Sequence, residues 1–61
     1  MATTIDGVTF EHAGVGYAHV RYRIIENKNN LSDDEIAEIV DGGVPHFGYR
    51  REGNLIIIHT D

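Results

Sequence analysis

Four histidines in 61 residues, His12, His19, His46 and His59, are the first side chains that invite a chemical role. A zinc site needs three or four converging ligands. No His-x-His or His-x-x-x-His spacing occurs, and cysteine is absent. The histidines are therefore read as structural or solvated, with no metal and no cofactor expected. The run Asp33-Asp34-Glu35 lacks the alternating acid spacing and glycine of a calcium loop. Gly14-Val15-Gly16 is only a fragment of a phosphate-loop pattern and reads as a hairpin turn. Asn30-Leu31-Ser32 matches a glycosylation triplet, but Ser32 reads better as a helix cap. Nucleophilic catalysis needs a nucleophile, a base and an orienting group converging in a cleft. With Ser32 committed to capping and little room for a cleft, the expectation is that the chain is not an enzyme.

Chemistry of any kind must be carried by a very small scaffold. A chain this short buries only ~60% of the surface its unfolded form exposes, and its core is worth ~3–5 kcal/mol. Disulfides are excluded, leaving an efficient core or a partner subunit to supply stability. No apolar run approaches the ~20 residues of a membrane span; the longest is Leu55-Ile56-Ile57-Ile58. The start, Met1-Ala2-Thr3-Thr4, lacks the basic and apolar regions of a signal peptide. A cytoplasmic location and no membrane partner are expected.

The net charge is −5. Asp33, Asp34, Glu35, Glu38 and Asp41 place five negative charges within nine residues, and the remaining acids and bases balance. An acidic element on a neutral, arginine-bearing remainder argues against general nucleic-acid binding, where neutralising phosphate supplies most of the affinity.

The hydropathy pattern predicts the elements. Residues 5–12 and 17–25 alternate as strands around Gly14-Val15-Gly16. An even register would set Phe10 opposite Val20 and Glu11 opposite His19. Ser32 and Glu35 form a capping box, and Leu31 and Ile36 occupy the staple positions. A helix over about 32–41 follows, its stripe Ile36, Ile39 and Val40, ended by Gly42-Gly43 and Pro45. Residues 45–51 and 55–60 read as a second hairpin, and a type II′ turn at Gly53-Asn54 would pair Tyr49 with Ile58. A longer loop there would swap the faces of residues 55–58. The expected fold is one single small α+β domain, residues 1–61, in the order β-β-α-β-β. One short helix packs on a four-stranded, mostly antiparallel sheet, either β-grasp-like or an antiparallel meander.

One short helix covers one face of such a sheet. If Ile56 and Ile58 face the helix, Leu55 and Ile57 face outward beside Tyr17, His19, Arg21 and Arg23. A contiguous apolar patch with tyrosine and arginine commonly marks a contact surface. Those six residues form the expected partner surface, and Asp33, Asp34, Glu38 and Asp41 form a second, acidic one. The functional expectation is a non-enzymatic protein-binding module, a regulator or inhibitor of a protein partner, of a size and acidity compatible with a phage or mobile-element protein. A homodimer is the economical version, because it would also enlarge the core. The alternative is a nucleic-acid-binding domain using Tyr17, Arg21 and Arg23, disfavoured by the net charge. A structural subunit of a larger assembly is a third reading.

Overall fold

The computed structural model describes residues 1–42 and 48–60. The expected start of the second hairpin at Pro45-His46-Phe47, the helix-stopping roles of Gly43 and Pro45, and the reading of His46 lie outside these residues. The elements in chain order are β1 (Thr3–Ile5), β2 (Val8–Val15), β3 (His19–Asn27), α1 (Asp33–Val40), β4 (Gly48–Glu52) and β5 (Leu55–His59). One helix and a five-stranded antiparallel sheet make the domain α+β, with strand order β1-β2-β3-β5-β4.

Two expectations are corrected here. The sheet has five strands, not four, because the N-terminal segment folds back on itself at Asp6-Gly7. Asp6 and Gly7 both take positive φ, 51° and 80°, the pattern of a type I′ turn whose twist matches the flanking strands. Ile5 thereby pairs with Val8 and Thr3 with Phe10. The β-grasp alternative also fails, since it requires parallel central strands. Here β5 lies between β3 and β4 and runs antiparallel to both. Its unbroken apolar run occupies that interior place, where both edges of the strand are paired with neighbours.

The second hairpin has the expected register: Glu52 pairs with Leu55 and Tyr49 with Ile58 across Gly53-Asn54, with Gly53 at φ 59°. The first does not. Strand β2 continues through Gly14 to Val15, so the turn falls at Gly16–Ala18, and Phe10 pairs with Ile24 and Glu11 with Arg23. Register shifts lie between Thr9 and Phe10 and between His12 and Gly14. Bulges of this kind bend and twist a long hairpin. Gly16 leaves room at the turn for the His19 ring, which would have to move aside for a β-carbon there. Parity in the middle of the hairpin is kept, and Phe10 remains on the helix side.

The helix forms for the reasons its sequence advertises. Ser32 caps it, the Glu35 amide donates to the Ser32 hydroxyl at 3.3 Å, and the Ser32 amide donates back to Glu35 Oε1 at 3.3 Å. Its stripe, Ile36, Ala37 and Val40, is buried against Val8, Phe10, Ile24, Ile56 and Ile58, with Tyr22, Leu31, Ile39 and Tyr49 partly buried at the margin. Phe10 and Tyr22 meet edge to face at 5.9 Å.

Candidate protein-binding surface

The outer face of the sheet, away from the helix, carries five of the six residues expected to form a contact stripe: His19, Arg21, Arg23, Leu55 and Ile57. Arg21 pairs with Ile57 and Arg23 with Leu55 between β3 and β5, while Arg50 pairs with Ile57 from the other side. His19 stands opposite His59. Tyr17 is not on this face; it projects fully exposed from the turn between β2 and β3. Ile57 is only 3% exposed and Leu55 is half-buried. The expectation of an open greasy stripe there is therefore corrected. A residue on an interior strand has a paired neighbour on each side, and for Ile57 these are Arg21 and Arg50.

Arg23 is tied to Glu11 at 2.8 Å and Arg50 to Glu52 at 2.8 Å, leaving Arg21 as a guanidinium with no ion pair among the described residues. Tyr22 and Tyr49 pack at the helix side rather than presenting stacking platforms.

The acidic helix is used unevenly. On one flank its first turn is fastened to β4: Arg51 donates to Asp33 Oδ1 at 2.8 Å, and the Tyr49 hydroxyl donates to Asp34 Oδ1 at 2.6 Å. The Asp34 hydrogen bond, with some burial and the negative charges of Asp34 and Asp33, pushes the Tyr49 phenol above its ordinary 10.0. Two of the four expected surface acids, Asp33 and Asp34, thus dock the helix to the sheet. Glu38 is exposed, and Asp41 is half-buried at the C-cap with Oδ2 buried and lacking a hydrogen-bond partner.

The other flank faces β1 and the β1–β2 turn across a groove of about 440 Å³ lined by Ile5, Asp6, Leu31, Glu35, Glu38, Ile39 and Gly42. Leu31, Glu35, Glu38, Ile39 and Gly42 recur at the spacing of a single helix side. Ile5 and Asp6 belong to the edge strand and its turn. The walls are joined at their base. Asn29 Nδ2 donates to the Asp6 carbonyl at 3.1 Å, and the Lys28 amide donates to the Gly7 carbonyl at 2.9 Å. Asn27 fixes the helix entry through reciprocal 2.9 Å bonds between its side-chain amide and the Leu31 backbone. Sequence reasoning did not find this groove. Asp6-Gly7 is a strong hairpin signal and marks one wall; the meeting of residues 5–6 with residues 31–42 has no local signature.

Among the described residues no group of three or more histidine, cysteine or carboxylate side chains is placed to hold a metal ion. No helix among them is long and apolar enough to cross a membrane. Comparison of the chain with protein families, with characterised proteins and with solved structures finds no match.

Proposed function

We propose that this chain is a non-enzymatic protein-binding module, a regulator or inhibitor that engages a basic protein partner through its helix side. The observation that carries this reading is the separation of charge. Among the described residues Asp6, Glu35, Glu38 and Asp41 have no ion pair, whereas Arg23, Arg50 and Arg51 are tied to Glu11, Glu52 and Asp33; of the unpaired cations, Arg21 lies on the outer sheet face and Lys28 beside the Asp6-Gly7 turn. The helix side of the molecule therefore carries an excess of negative charge. Such an excess steers a complementary partner and raises its association rate, most strongly at low salt.

A second copy of the chain fits this side poorly, because a two-fold contact sets the same surface against itself and here would oppose acid to acid. Self-association through the outer sheet face has lost its main support, since Ile57 there is already buried.

The test is a charge reversal that leaves the fold intact. Glu38→Lys with Asp41→Lys places cations at the C-terminal end of the helix, where the dipole favours them. Wild-type protein immobilised in a host extract should retain a basic partner that elutes with salt, and the double variant should release it. Equal recovery of the same partner by both forms would show that the acidic side is not the binding surface.

A further inference from the structure

We infer that the groove between α1 and the β1–β2 turn is the anchor slot for a cationic amphipathic segment of a protein partner, a segment with an apolar face flanked by lysine or arginine. The inference rests on the reading of the chain as a protein-binding module and adds where the contact is made and what chemistry it takes.

Three features converge on that occupant. The apolar surface is supplied by Ile5, 42% exposed, with the half-buried Leu31 and Ile39. Around it stand Asp6, Glu35 and Glu38, with no basic side chain among the lining residues. The negative end of the helix, reaching Gly42, borders the same space and favours a positive charge. An aliphatic floor under a carboxylate rim repels phosphate and anionic lipid headgroups. It accepts an apolar side chain while its basic neighbours meet the rim.

The shape selects a chain segment over a compact ligand. The lining runs from Leu31, ahead of the helix, to Gly42, beyond it, and so flanks all eight residues of α1, about 12 Å at the α-helical rise. A partner helix or extended segment lying beside α1 would contact successive turns, in the manner of helix-in-groove recognition. The slot is also prebuilt. Glu35 is held by the Ser32 amide and hydroxyl at 3.3 and 3.1 Å, and the Asn29 and Lys28 bonds join the two walls. Groups ordered before binding avoid the entropy cost of being ordered by it.

The probe is a synthetic leucine–lysine peptide of about four helical turns, added to the isotopically labelled full chain while amide resonances are followed. Leucine–glutamate and serine–lysine peptides of the same pattern are the controls. The expected result is saturable movement of resonances at Ile5, Leu31, Ile39 and Gly42 with the leucine–lysine peptide, and affinity at least about tenfold weaker for either control, a difference of about 1.4 kcal/mol. Asp6→Asn with Glu38→Gln should weaken binding by a similar factor, and Ile5→Thr should weaken it severalfold. Asn is favoured at the positive φ of residue 6, Gln keeps helix propensity and Thr keeps strand propensity. Preserved peak dispersion in each variant separates lost binding from lost fold. If the serine–lysine peptide binds equally well and shifts scatter along the acidic helix, the slot is refuted and the charge reading survives. If neither basic peptide binds at low salt, both are refuted.

Discussion

The Tyr49 hydroxyl donates a 2.6 Å hydrogen bond to Asp34 Oδ1, joining edge strand β4 to the first turn of the helix. The bond needs the neutral phenol, and the carboxylates beside it oppose the phenolate, which is why the Tyr49 pKa lies above 10.0. A group whose folded pKa is raised contributes stability that is fully present below its unfolded pKa and is lost as pH climbs through the folded value. Thermal stability should therefore hold up to about pH 10 and then decline as Tyr49 ionises. Ultraviolet titration of the three tyrosines should show a late component that Tyr49→Phe removes and Asp34→Asn moves toward the ordinary range. If Tyr49 titrates in the ordinary phenol range, the hydrogen bond does not persist in solution.

The Asp6-Gly7 turn makes a second prediction, because it builds one wall of the groove. Gly7 has φ 80°, and a β-carbon there would sit 2.7 Å from Asn29 Nδ2. Gly7→Ala combines left-handed backbone strain of about 1–2 kcal/mol with pressure on the Asn29 side chain that bonds the Asp6 carbonyl. Urea unfolding should show a loss of at least that size, and Asp6→Asn should be close to neutral. An unchanged midpoint for Gly7→Ala would mean that β1 does not pair as described.

These two sites mark how much the sequence discloses. Ser32 and Glu35 announce the helix start because a capping box is a local device, and Gly53-Asn54 sets the second register because a two-residue turn leaves no freedom. Ile5-Asp6-Gly7-Val8 carries an equally local signal. A strand of three residues is too short for alternation to reveal, so residues 5–12 read as one strand. The first hairpin's register escaped because its two irregularities, at Thr9/Phe10 and His12/Gly14, have no simple residue code. Binding surfaces were less legible still. Which acids face the groove depends on Arg51 and Tyr49 claiming Asp33 and Asp34, a tertiary event across 18 and 15 residues.

Asp41 makes the third prediction. It is an acid at the C-cap of a helix with no basic residue in its last turn, and its Oδ2 is buried without a partner. Negative charge at that end opposes the dipole by about 0.3–1 kcal/mol. Asp41→Asn should raise Tm, by an amount small in free energy but readable in a domain this size. A lowered Tm would show that the carboxylate stabilises the fold. A raised Tm together with weakened partner binding would mark Asp41 as an acid kept for the surface rather than for the helix.

The fourth prediction contrasts two isoleucines on the sheet. Ile57 is 3% exposed between Arg21 and Arg50, whereas Ile25 is 53% exposed at the bulge of β3. Truncating a buried isoleucine to alanine costs about 2–5 kcal/mol, comparable to the whole ~3–5 kcal/mol that a core of this size supplies. Ile57→Ala should therefore leave the chain largely unfolded by circular dichroism at 25 °C. Ile25→Ala should stay within about 0.5 kcal/mol of wild type, as surface substitutions usually do. If Ile57→Ala is as mild as Ile25→Ala, Ile57 is not buried in solution, and the outer sheet face regains its claim as an apolar contact surface.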